Sequence, residues 1–94
     1  MNIEERFEKY DEEYVKFDRI ENKLSNRPDL HAFLMLDKMF PHGSDMVSAA
    51  EHDEIFLDVD VDKFNEVATD DQIRDLCRCG VRYDESTDSL SMFV

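Results

Sequence analysis

Apolar residues open the chain at helical spacing: Ile3, Phe7, Tyr10, Tyr14, Phe17 and, after a skipped position flanked by Ile20, Leu24. Steps of four and three put one stripe on one face, so residues 1–24 are expected to form a long amphipathic helix. Glu5 with Lys9 and Glu12 with Lys16 add i,i+4 pairs in the favourable order. Over 22 residues such a helix is about 33 Å long. It must cross the whole domain or protrude from it. Its stripe therefore packs on its own domain or forms a dimer seam through Ile3, Phe7, Tyr10, Tyr14 and Phe17.

Ser25 to Pro28 interrupt the pattern, with Asn26 as expected N-cap and Pro28 in the first turn. Residues 27–40 then carry apolar side chains on nearly every face, which is the pattern of a buried helix. Pro41, His42 and Gly43 end it. Ser44 is expected to cap a short helix to about residue 52. Residues 54–61 alternate, with Leu57, Val59 and Val61 on one parity and Asp58 and Asp60 on the other, as in a half-buried strand. A short helix follows over 62–68, with Asp62 as its cap. Thr69 and Gln72 are spaced as a capping box for the next helix, and Gly80 is its stop. Val81 to Val94 read as a hairpin turning at Asp84 to Asp88. The expected core is Leu30, Phe33, Leu34, Leu36, Phe56, Leu57, Ile73, Leu76 and Met92.

These elements make an α+β fold. The long N-terminal helix and a buried second helix pack on a small antiparallel sheet of about three strands, closed by the C-terminal hairpin. The 94 residues are expected to form one domain. Within it, 1–24 is the amphipathic helix, 27–40 the core helix and 44–94 the acidic remainder. Strand, two helices and hairpin from residue 54 onward resemble the winged-helix family in element order. In that family the second of the two helices enters the DNA major groove. Here that helix carries Asp70, Asp71 and Asp75 against Arg74 and Arg78, which would face phosphates with carboxylates. The resemblance implies a protein partner instead of DNA.

Charge sharpens this picture. The formal net charge is −13, from 24 acidic and 11 basic residues. That opposes binding to a phosphate backbone or an anionic membrane surface and favours cationic partners. Residues 45–75 hold eleven acids and two bases, so one folded stretch carries most of the excess. Asp53, Glu54, Asp58, Asp60, Asp62, Glu66, Asp70 and Asp71 are the expected partner-facing surface. A folded array of carboxylates can imitate a phosphate backbone. In size and charge the chain is similar to small DNA-mimic inhibitors of phages and mobile elements.

Other chemistry is poorly supported. Counted from Asp58 as a calcium loop, position six is Lys63 where glycine is needed, and position twelve is Thr69 where glutamate is needed. Cys77 and Cys79 stand too close for the usual zinc pairing and have no second cysteine cluster, although His31, His42 and His52 are present. Bridging them would close a tiny strained loop, so a reducing, cytoplasmic setting is expected. Met1 to Tyr10 has no apolar signal-like core. Glu51-His52-Asp53-Glu54 is a titratable cluster without a neighbouring nucleophile. With only Gly43 and Gly80, phosphate-cradling loops and nucleophile elbows are ruled out. We therefore expect a non-catalytic protein-binding module with no cofactor and no metal. Its partner would be a protein with a basic surface. The alternative is an assembly protein that forms homodimers through its N-terminal helix.

Overall fold

The computed structural model describes residues 2–41 and 43–93. The expected roles of His42 in ending the second helix and of Val94 in the last strand lie outside these residues, as does Met1. The elements are α1 (Ile3–Glu8), α2 (Pro28–Met39), β1 (Val47–Glu51), β2 (Glu54–Leu57), α3 (Val61–Val67), α4 (Asp70–Arg78), β3 (Val81–Asp84) and β4 (Ser89–Phe93). The four strands form one antiparallel sheet in the order β1-β2-β4-β3. The fold is α+β, as the sequence pattern implies.

The long N-terminal helix does not form. α1 is six residues long, and single 3-10 turns follow at Asp11–Glu13 and Phe17–Arg19. The molecule measures 28 × 28 × 27 Å between its outer Cα atoms, so a helix of about 33 Å would overhang it. Breaking the segment lets Ile3, Phe7 and Ile20 all reach the core, with Tyr10 and Phe17 packed against them. Val15 makes the sharpest break, at φ 55, a rare conformation for a β-branched residue. Its N–H donates to the Cys77 carbonyl of α4 at 3.0 Å, one of the acceptors that a helix end leaves without an intrahelical partner.

α4 takes the central position expected of the second helix. Its start is the anticipated capping box: Gln72 N–H donates to Thr69 Oγ1 (3.1 Å) and Thr69 N–H to Gln72 Oε1 (2.8 Å). Ile73, Leu76 and Cys77 are buried, and the helix packs on α1, β3 and both 3-10 turns. Gly80 ends it at φ 93, a backbone geometry that favours glycine. α2, by contrast, lies at the edge of the core and buries only His31, Ala32 and Leu36. Leu30 is 42% exposed and Leu34 half-buried, so neither is core. Phe33 packs against the core but is only partly covered. Arg27, not Asn26, occupies the N-cap position, and it makes no side-chain cap. His31 is buried, its Nδ1 accepts the Leu24 N–H at 3.0 Å, and burial holds its pKa below the usual value.

Residues 47–51 form strand β1, where a short helix is expected. Ala49 and Ala50 have weak strand preference, but pairing with β2 overrides it. His52, at φ 48, turns the chain between Glu51 and Glu54. β2 also ends early, at Leu57, because Asp60 accepts the Lys63 N–H at 3.2 Å and so caps α3 two residues before the expected Asp62. The winged-helix-like order therefore does not match in full. Strand, two helices and hairpin are present, but β1 adds a fourth strand and makes β2 an interior one. Leu57, Leu90, Met92 and Val81 share the sheet face that meets the helices, with Phe64, Ile73 and Leu76 opposite. Phe56 is buried too, but its partners Ala49 and Ser91 place it on the other face.

Candidate functional site

The eight carboxylates expected to face a partner do not form one array. β2 separates Asp53 from Asp58 by about 17 Å and Glu54 from Asp58 by about 14 Å at ~3.4 Å per residue, beyond the ~8 Å over which physiological salt screens charge. Glu54 is half-buried and accepts the Ser91 hydroxyl at 2.8 Å. Asp58 accepts from Ser44 Oγ (3.2 Å), and Asp60 caps α3. Asp62 and Glu66 lie one turn apart and exposed on α3. Asp70 pairs with Lys9 (3.1 Å) and Arg6 (3.2 Å), which hold its carboxyl below the usual range. Asp71 pairs with Arg74 at 3.3 Å. Asp62 and Glu66 thus face solvent, whereas Asp70 and Asp71 are already matched.

Five of the chain's eleven cations gather around α4. Arg78 binds Glu13 (2.8 Å) and Asp75 (3.1 Å), and Arg19 binds Glu13 at 2.6 Å. Arg6 also donates to the carbonyls of Asn65 (2.8 Å) and Ala68 (2.7 Å), tying α1 to the α3–α4 turn. Among the described residues, Arg6, Lys9, Arg19, Arg74 and Arg78 are held by just four acids: Glu13, Asp70, Asp71 and Asp75. With five of eleven bases spent inside the fold, the rest of the acidic surface is left with little to offset it.

A second acidic region lies on the far side of α1, where it meets β3 and the β3–β4 turn. Here a groove of about 350 Å³ is lined by Glu4, Phe7, Glu8, Tyr10, Asp11, Tyr14, Cys77, Val81, Arg82, Tyr83, Asp84 and Glu85. Phe7, Cys77 and Val81 are buried beneath it, and Tyr10, Tyr14 and Tyr83 are half-buried along it. The Tyr83 hydroxyl donates to Asp88 at 2.7 Å, which fixes the ring and pushes the phenol up to about 12. Asp84 holds the turn, accepting from Ser86 N–H (3.1 Å), Ser86 Oγ (2.8 Å) and Thr87 Oγ1 (3.1 Å). Glu85, then partial burial and Glu8, raise the Glu4 carboxyl above its ordinary value.

Five carboxylates therefore meet one cation, Arg82, whose guanidinium stacks 5.1 Å from the Phe93 ring. Among the described residues no ion pair engages Glu4, Glu8, Asp11 or Glu85. Burial, with Asp11 and Glu13 nearby, pushes the Cys77 thiol up to about 12, so it is no nucleophile at neutral pH.

Nothing in the letters announces this groove. Glu4 and Glu85 stand at opposite ends of the chain, and an unbroken helix would have left Glu4, Glu8 and Asp11 on its solvated side. The signal lies in the stripe itself: Ile3 and Phe7 are core, whereas Tyr10 and Tyr14 line the groove. Phe17 packs against the core and edge-on to His31, 5.9 Å between ring centres. The long-helix seam does not form, and Ile3, Phe7, Tyr10 and Phe17 serve the chain's own packing.

Among the described residues, no group of three or more His, Cys, Asp or Glu is arranged to hold a metal ion, and no helix is long and apolar enough to cross a membrane. Comparison with protein-family models, with curated proteins and with solved structures found no match to the chain.

Proposed function

We propose that this protein is a small, acidic, non-catalytic binding module whose partner is a protein with a basic surface. The observation that carries this reading is the division of charge. Five of the eleven cations are drawn into pairs around α4, while Asp62, Glu66 and the carboxylates around the groove face solvent. Such a surface attracts a cationic patch during encounter and repels nucleic acid and anionic membranes. Two free buried cysteines support a reducing, cytoplasmic setting. In its narrower form, the module occupies the nucleic-acid-binding face of its partner as a phosphate-backbone mimic of phage or mobile-element type. Nothing in the folded N-terminal segment favours the alternative of assembly through that region.

Affinity capture from nuclease-treated host extract, followed by binding kinetics with the purified partner, tests this. The captured protein should carry a Lys/Arg-rich face, and association should slow at least tenfold between 50 and 500 mM salt, of the order expected for steered encounters. Asp62→Lys with Glu66→Lys should slow it similarly and leave the melting temperature nearly unchanged. Asp58 and Asp60 are poorer choices because Asp60 caps α3. DNA should compete if the surface is a phosphate mimic. Binding that ignores both salt and charge reversal refutes the proposal.

A further inference from the structure

We infer that the groove between α1 and the β3–β4 hairpin is a socket for one lysine or arginine side chain of the partner. The inference rests on the binding-module reading above and gives it an address. The groove joins two features that a long cationic side chain needs at once. Tyr10, Tyr14 and Tyr83 line the groove half-buried, and their rings can cover a methylene stem, because such stems lie along apolar surface while the head stays polar. Tyr10, Tyr14 and Tyr83 offer ring faces to the charged head, and Tyr83 is held in place by its bond to Asp88.

The rim supplies charge that nothing else consumes. Asp84 is spent on the turn, but Glu4, Glu8, Asp11 and Glu85 have no ion pair among the described residues. Crowding lifts the Glu4 carboxyl, and an arriving cation would relieve that repulsion. The volume, about 350 Å³, lies at the small end for ligand sites and is ample for a long side chain. Aromatic walls argue against a bare metal ion, which would need six to eight oxygen ligands in the case of calcium.

The test uses capped tripeptides Gly-Lys-Gly and Gly-Arg-Gly, with Gly-norleucine-Gly as the uncharged control, titrated into the isotope-labelled protein and followed by NMR. Lysine and arginine peptides should shift the ring resonances of Tyr10, Tyr14 and Tyr83, and the norleucine peptide should not. Glu4→Gln with Glu85→Gln should weaken their binding at least fivefold. Asp62→Asn with Glu66→Gln, which removes the same charge elsewhere, should change it less than twofold. Tyr83→Leu should weaken binding with every carboxylate kept. Unchanged backbone spectra certify that each variant is folded. Shifts centred outside the groove, equal binding of norleucine, or equal losses in the two double variants would each overturn the socket. The wider reading would still stand if a basic partner is captured in a salt-sensitive way, so the two can fail separately.

Discussion

The two sides of the N-terminal segment use the same residue types to opposite ends. Toward α4, acids and bases are interleaved: Glu13 sits between Arg78 and Arg19, and Asp70 between Arg6 and Lys9. Toward the β3–β4 hairpin, acids face acids across an aromatic groove. The first arrangement fastens the irregular segment to the body of the protein. The second works against the isolated fold, since clustered like charge is destabilising. Packing cannot be the distinction, because Phe7 lies beneath both and meets Phe64 with ring centres 6.1 Å apart.

The largest test of that comparison removes the shared floor. Phe64 is fully buried between Phe7 and Phe40, so Phe64→Ala should cost about 3–5 kcal/mol by chemical denaturation. It should loosen both sides together, seen as increased exchange at α1 and at Val15. If one side loosens alone, the two do not share a floor.

Next comes the matched side. Glu13→Gln removes one of the two carboxylate partners of Arg78, whose side chain is only 13% exposed, and should lower the melting temperature clearly at pH 7. Hydrogen bonds from Arg78, then Arg19, hold the Glu13 carboxyl below its ordinary value of 4.5. A depressed carboxyl stabilises above the unfolded value and loses that contribution as pH falls through the folded one. The difference between wild type and variant should therefore be full near neutrality and vanish in acid below 4.5.

The smallest effect, and of opposite sign, belongs to the groove. Glu4 is raised above 4.5 by Glu85 first, then by burial and by Glu8. The native state then holds its proton longer than the unfolded chain, so ionisation costs stability as pH rises past 4.5. Glu4→Gln should raise the melting temperature slightly at pH 7, and the gain should fade on acidification. Two glutamates nine residues apart would thus show mirror-image pH profiles. Profiles of the same sign would erase the distinction between the two sides.

Much of the C-terminal half was legible because its signals are local. Thr69 and Gln72 cap α4 within four residues, Gly80 supplies the positive φ, and Leu90 and Met92 alternate with Ser91 and Phe93. The N-terminal third misled because its periodicity was real but its continuity was not. The 3-4 spacing records which residues touch the core, and a broken chain satisfies that as well as a helix does. Val15 at φ 55 is set by a bond to a carbonyl sixty-two residues on, which no window on the sequence contains. β1 was missed for a similar reason. Its alanines read as helix until β2 is there to pair with them. Of the candidate sites, the acidic character was visible in composition, but which carboxylates stay unmatched depended on long-range pairs such as Arg6 with Asp70.

β1 carries one more implication. All five of its residues are exposed, its pairing with β2 is irregular between Val47 and Ala49, and its outer edge is unpaired in the sheet. Little buried apolar contact opposes its release, so it has the makings of a separately opening unit of low stability. Peeling it away leaves β2-β4-β3 intact and turns β2 into the boundary strand. By this argument the sheet divides into a three-stranded inner part that its buried face holds and an outer strand expected to exchange its amide protons first.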